Sequence, residues 1–311
     1  MGLKHELGKK IKNINPDIYE TISNCLSYIR YVKRKNTPFD KIPYVLQKRY
    51  EENMGEEFDI NNPKSYSQKI QWLKLYDDNK LRTKLTDKVL VREWIKEKIG
   101  EEYLIPVLGV YNHFDDINFD ELPNQFVIKT NHSSGWNIIV KDKTKLNLRQ
   151  VRKKLEFWLK LDYAYWTEYE IHYSPIQPKI IIEKYIVDRK GELNDFKFLC
   201  FNSKCKYMWM DFDRMTNHKR NVYDMEWNLQ PWNQYTYGNY EGNVEKPQNF
   251  EKMCELATIL CEGFRHVRVD LYNVDGKIYF GEMTFTNGSG FEGIHPRKYD
   301  YELGKLISID K

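Results

Sequence analysis

Apolar and polar residues alternate on both sides of Val274-Asp275-Gly276, with Val267, Val269 and Leu271 before it and Ile278 and Phe280 after it. Period-two alternation interrupted by Asp-Gly predicts a β-hairpin. Parity then constrains the loop. A two-residue turn in a regular ladder would put Asp270 and Glu282 on opposite faces. A three-residue loop, a type I turn closed by left-handed Gly276, puts Asp270, Phe280 and Glu282 on one face. Arg268 then stands opposite Glu282, with the two carboxylates as diagonal neighbours roughly 7–8 Å apart at the backbone. Carboxylates at that spacing can share a divalent cation, and Mg²⁺ is commonly held by one or two of them together with substrate phosphates. The same residues also serve an ordinary hairpin with one Arg–Glu pair.

Elsewhere the apolar spacing is helical. Ile18, Ile22, Leu26 and Ile29 predict a helix over residues 17–33, and Ile70, Leu73 and Tyr76 another over 65–76. Thr86 is placed to cap a helix ending near Gly100 with Leu90, Trp94 and Ile95 inward, and Asn147 to cap one with Leu148, Val151, Leu155, Trp158 and Leu159 inward. Asn249 starts a further helix on Met253, Leu256 and Leu260. Strands are predicted at Phe126–Lys129, Asn137–Val140, Lys179–Val187 and Asp195–Phe201, the last alternating Phe196, Phe198 and Cys200 against Asp195 and Lys197.

Composition narrows the class. The chain has 311 residues, 41% hydrophobic and 15% aromatic, enough for a substantial core. A net charge of +4 is too small to argue for nucleic acid. The first 36 residues concentrate Lys4, Lys9, Lys10, Lys12, Arg30, Lys33, Arg34 and Lys35, a solvated basic helix or a peripheral contact with an anionic membrane or polymer. Cys25, Cys200, Cys205, Cys254 and Cys261 form no metal-type spacing and read as reduced packing cysteines. With no apolar leader or membrane-length run, a cytoplasmic protein is expected.

Candidate chemistry lies in three further stretches. Lys129 ends a strand and precedes the small-residue loop Ser133-Ser134-Gly135, a point charge beside backbone N–H groups as phosphate binding requires. A plain hairpin loop has the same look. There is no glycine-rich βαβ fingerprint, which speaks against a Rossmann nucleotide site. From Tyr207 to Tyr240 aromatic residues mix with cations; Arg214, Arg220, Trp227 and Trp232 suit a sugar and a carboxylate, or simply a packed insert.

The order of these pieces, a Thr86-Asp87-Lys88 helix start, the Lys129 strand and loop, Glu183-Lys184-Tyr185-Ile186, Asp195-Phe196-Lys197 and the Arg268–Glu282 hairpin, resembles the ATP-grasp superfamily over about residues 60–300. It is most similar to the branch linked to teichuronopeptide and other cell-surface polysaccharide synthesis. The resemblance implies an α+β fold in which two subdomains grasp ATP: a helical region over 1–80, a first subdomain over 81–180, and a second over 181–311 carrying the insert (207–245) and the hairpin (266–284). It implies ATP contacts by Arg92, Lys129, Ser133, Ser134 and Gly135, adenine at Glu183, Lys184, Tyr185 and Ile186, and ribose at Asp195. Lys197 and Arg268 would act on the transferring phosphoryl group, and Asp270 and Glu282 would hold Mg²⁺. Thr284 stands where the superfamily usually has Asn, and Asn287 is the candidate stand-in. The activity implied is an ATP-dependent carboxylate–amine ligase acting through an acyl phosphate on a uronic acid of a surface-glycan precursor, with an amino acid or similar amine. His132 and His218 are candidate bases for that amine. A nucleotide-sugar glycosyltransferase would share Asp and Mg²⁺ but gives no reason for Lys129 or Lys197. A nucleotide-binding protein without catalysis is the third class.

Overall fold

The computed structural model describes residues 16–189, 191, 193–212, 218–234 and 237–309. Two antiparallel sheets face a common cleft. The first contains β1 (Val107–Tyr111), β2 (Phe126–Thr130), β3 (Asn137–Val140) and β4 (Ile180–Lys184), ordered β1-β4-β2-β3. Phe126, Ile128, Ile180 and Ile182 project from one face and bury against Val151 and Leu155 of the Leu148–Leu159 helix. Asn147 caps that helix by accepting from the Gln150 N–H at 3.1 Å. Leu148, expected inward, is 44% exposed at the first position of the helix.

The second sheet contains β5 (Asn194–Phe201), β6 (Lys204–Phe212), β7 (Lys219–Asp224), β9 (His266–Val274) and β10 (Lys277–Thr284), ordered β10-β9-β5-β6-β7; β8 (Asn233–Gln234) pairs with β11 (Ile294–His295) separately. Phe196, Phe198 and Cys200 point to the Phe250–Leu260 helix, as their alternation predicts, and share its core with Met253, Leu256 and Leu260. Phe250 is fully buried there, so truncation to Ala would cost about 3–5 kcal/mol. The other face of β5 changes character along its length. Asp195 and Lys197 are followed by Leu199 and Phe201, and the apolar end is covered by the Tyr66–Tyr76 and Arg297–Lys305 helices. Ser65 and Gln68 form a capping box at the first of these helices. Its Ser67 N–H and hydroxyl donate to Asp300 of the second at 2.9 and 2.7 Å.

Four expectations change. The hairpin turn has two residues, not three: Val274 pairs with Lys277, and Asp275 and Gly276 both adopt positive φ. Parity is restored instead by a bulge between Phe280 and Glu282. Phe280 therefore opposes Leu271, Glu282 directly opposes Asp270, and Thr284 rather than Glu282 opposes Arg268. A Cβ on bulged Gly281 would lie 3.0 Å from the Asp270 carbonyl oxygen, which is why glycine fits there. Second, Thr86 ends the Leu81–Thr86 helix rather than capping the next; the Asp87 carboxylate accepts from the Val89 and Leu90 N–H groups before the Val91–Lys98 helix.

Third, the Ile22, Leu26 and Ile29 stripe of the Pro16–Lys35 helix faces solvent, and the helix docks instead through buried Tyr31 and through Arg34, which donates to the Trp166 carbonyl at 3.0 Å. Fourth, Tyr76 lies 41% exposed at the end of its helix, and Leu90, expected inward, is 51% exposed just before the Val91–Lys98 helix. Lys4, Lys9, Lys10 and Lys12 lie outside the described residues. Among the described residues no helix is long and apolar enough to cross a membrane.

Candidate active site

The bulge and the register of the second sheet align one row of charges. Asp270 of β9 pairs with Lys197 of β5, and Asp195 of β5 pairs with Asp211 of β6, which pairs with Arg220 of β7. Lys197 is buried and bonded to Asp195, with Asp211 at 3.3 Å and Asp270 at 3.7 Å. The Arg268 guanidinium meets Asp270 in a bidentate fork, Nε to Oδ1 and Nη2 to Oδ2, both 2.7 Å. It also donates to Glu282 Oε1 at 3.1 Å and to Asn287 Oδ1. Three residues thus accept from one cation. Burial raises the Asp270 carboxyl, against the pull of Arg268 and Lys197, to about 6. At Glu282 burial is outweighed by Arg268, Lys88 and Lys197, which bring it to about 2.

Across the cleft the first sheet offers a looser set. Lys129 donates to Glu183 Oε2 at 2.5 Å, and Arg92 Nη1 lies 3.4 Å from Glu183 Oε1. The Arg92 Nη2 group donates to the Ile105 carbonyl at 2.8 Å. Lys88 reaches the Ser133 carbonyl of the loop between β2 and β3. Burial draws its ammonium down, while Glu282 favours the charge. Thr86, Lys88, Arg92, Lys129, Glu183, Gly281 and Glu282 line one small opening between the sheets. The Thr86 hydroxyl in its wall is buried without a hydrogen-bond partner.

The loop itself is anchored from below. Asn131 donates to Asp87 Oδ2 and to the Gln177 carbonyl, both at 3.0 Å, and accepts from the Lys179 N–H at 2.6 Å. Thr130 and Ser133 hydroxyls bond to each other, Tyr163 donates to the Ser134 carbonyl at 2.8 Å, and Gly135 takes φ +76°. Ser134 and Gly135 remain exposed above this base.

The register therefore gathers Lys197, Arg268, Asp270, Glu282 and Asn287 on one wall, with Arg92, Lys129 and Glu183 on the other. Glu183 faces its two cations with its side chain, while the Lys184 N–H is taken by the Pro106 carbonyl at 2.9 Å. Tyr185 and Ile186 continue, half-buried, beyond the end of β4. The expected substrate group is differently placed. Arg220 is buried and saturated by Asp211 and Gln234. Trp232 is packed in the core beside Tyr207, and Trp227 stacks on Tyr223 at 4.4 Å between centroids. Arg214 lies outside the described residues. His132 is buried, which holds its imidazole down at about 4, and His218 Nε2 lies 3.2 Å from Asp211 Oδ1.

Sequence reasoning missed Lys88 and Asp211. Both carried a signal: Lys88 follows the Asp87 cap directly, and Asp211 continues the alternation from Trp209 along β6.

The donor set fits a hard divalent cation. Asp270, Glu282 and Asn287 offer only oxygen ligands, from directly opposed strand positions and the loop that follows. Thr284, standing where an amide is usual, donates to Glu282 Oε1 at 3.1 Å and orients that carboxylate.

The chain matches the TupA-like ATPgrasp family over residues 68–308. It is similar to D-alanine–D-alanine ligase from Bacillus anthracis complexed with ATP, at 18% identity and TM-score 0.39, covering 65% of this chain and 54% of that one. It is also similar to N5-carboxyaminoimidazole synthase from Aspergillus clavatus, at 10% identity and TM-score 0.38, covering 65% and 44%. A third similar structure is the ATP-grasp ligase PsnB with its minimal precursor, at 10% identity and TM-score 0.39, covering 74% and 61%. The match to each spans less than two thirds of its length, and the assignment rests on the family match. No curated protein matches the chain. The chain belongs to the TupA-like ATP-grasp family, with its α+β fold.

Proposed function

For this member of the TupA-like ATP-grasp family we propose an ATP-dependent carboxylate–amine ligase, acting on a uronic acid of a capsular or other cell-surface polysaccharide precursor. The observation that carries the reading is the cleft itself: one wall presents Lys88, Lys129 and Arg92, and the other a cation–carboxylate set built on Arg268.

Each residue then has a task. Lys129 and Lys88 bind the α- and β-phosphates of ATP with the Ser133–Gly135 loop above them, and Arg92 orients Glu183. Asp195 takes the ribose hydroxyls. Asp270, Glu282 and Asn287 would hold Mg²⁺, which supplies charge neutralisation at the phosphate oxygens. Lys197 and Arg268 offset the negative charge that develops as a substrate carboxylate attacks the γ-phosphorus. That step gives an acyl phosphate and ADP. An amine nitrogen then adds to the acyl carbon, loses its proton and expels phosphate, leaving the amide. Both walls keep water from the acyl phosphate.

Hydroxylamine trapping with ATP, Mg²⁺ and a panel of uronic acids tests this. Hydroxamate and ADP formed together support it. UDP release from a nucleotide sugar in the absence of ATP would establish a glycosyltransferase instead. ATP binding without turnover across acceptors would mark a non-catalytic binder.

A further inference from the structure

Three thiols that are scattered in sequence meet on the far face of the second sheet. Cys200 ends the alternation Phe196, Phe198, Cys200, which points away from the cleft. Cys205 is its direct partner across the β5–β6 hairpin, and their sulfurs are 2.9 Å apart. Cys261 arrives from another element, immediately after the Phe250–Leu260 helix. The three sulfurs all lie within 4.8 Å of one another. All three are free thiols; Cys200 and Cys261 are buried, and Cys205 is half-exposed.

Packing explains a buried cysteine, since a thiol is a small core filler. It does not require the thiol at a helix end to converge on a cross-strand pair of thiols from a distant hairpin. Zinc–thiolate bonds of about 2.3 Å in a tetrahedron set sulfurs roughly 3.8 Å apart, and the three sulfurs here all lie within 4.8 Å of one another. The ligands are soft, unlike the oxygen donors of the cleft, so the two places select different metals.

We propose that Cys200, Cys205 and Cys261 form a thiolate site for one zinc-class cation, with the fourth position open on the Cys205 side. Each thiol releases its proton as its sulfur bonds the metal, so M²⁺ and three thiols give a tris-thiolate complex and three protons. No electron is transferred. The site ties the β5–β6 hairpin, which carries Lys197 on its other face, to the end of the Phe250–Leu260 helix.

The test uses the full chain, reduced and stripped with a chelator, titrated with Zn²⁺ against a chromogenic competitor and with Cd²⁺ for its sulfur charge-transfer absorbance. One ion per chain, the ultraviolet band and a metal-dependent rise in Tm are expected. Cys205→Ser, at a half-exposed position, should weaken binding at least about tenfold without unfolding the protein, and Cys261→Ser should abolish it. Cys254→Ser should bind like the parent. Absence of a stoichiometric ion in the reduced protein overturns the site. So does binding to Cys205→Ser as tight as to the parent, or a Cys200–Cys205 disulfide that forms in preference to metal. None of these readouts involves ATP, so the ligase reading stands or falls separately.

Discussion

The two walls of the cleft carry similar charges in different states. On the second sheet Lys197, Arg268 and Asp270 are buried and bonded to one another in a row that strand register dictates. On the first, Lys129 and Arg92 stay partly open to solvent and share the single carboxylate of Glu183. A buried, fully paired row costs no reorganisation when charge develops beside it, which suits the reacting end of a ligand. A half-exposed pair can release Glu183 and turn to an incoming polyphosphate, which suits binding. Burial separates the two tasks.

That contrast can be broken experimentally. Arg268→Met leaves Asp270 buried and short of its main partner, so about 3–5 kcal/mol of stability should go with the activity; urea unfolding of the variant measures it. A loss below about 1 kcal/mol would show that the second wall is not prestressed by its charges. Glu282→Gln keeps the shape and a hydrogen-bond acceptor for Arg268. ADP release should fall by about 10²–10³-fold, equivalent to about 2.7–4 kcal/mol of barrier, while Tm moves little. Turnover equal to the parent would remove Glu282 from the site.

Lys129→Ala removes a partly exposed cation, so the lost pair should cost under about 1 kcal/mol of stability. The effect should appear instead in KM for ATP, with kcat less affected; a fall confined to kcat would move Lys129 to the reacting end. A further effect is in pH. Burial holds His132 beside the first sheet and His266 in the second at about 4, below their ordinary value of 6.5. The unfolded chain takes up these protons first, so their contribution is complete above about pH 6.5 and is lost as pH falls towards 4. Each histidine should add a slope of about 1.4 kcal/mol per pH unit in that window. Denaturation midpoints at pH 7.5 and 5 for His266→Gln and His132→Gln should each show a flatter slope than the parent.

Much of the site was legible because strand periodicity is local. Asp195 and Lys197 alternate with Phe196 and Phe198 in the sequence as they do across the sheet. Lys129 could be placed at a strand end from its neighbours alone. The hairpin shows the limit. Asp-Gly selects a two-residue turn through the preference of both positions for positive φ, yet the carboxylates still meet on one face because Gly281 absorbs a residue into a bulge. A parity argument alone therefore put the two carboxylates on one face through the wrong loop, and it misplaced Phe280, which turns to the core beside Leu271. The helical stripe at Ile22, Leu26 and Ile29 failed for a related reason: periodicity reports which residues share a face, and only packing reports whether another element covers it.

The sequence by itself determined the strands that carry Lys129, Glu183, Lys197, Asp270 and Glu282 and the residue types on each wall, since these follow from near-neighbour spacing; β6 and β7 went unread within the aromatic stretch. Tertiary structure decided the pairings. Asp270 sits opposite Glu282, Lys197 between Asp195 and Asp270, Lys88 faces Glu282 across the cleft, and Cys261 lies beside Cys200 and Cys205. Those partners are separated by up to about two hundred positions in the chain, and strand register, bulge position and helix docking are collective outcomes of burying one shared core.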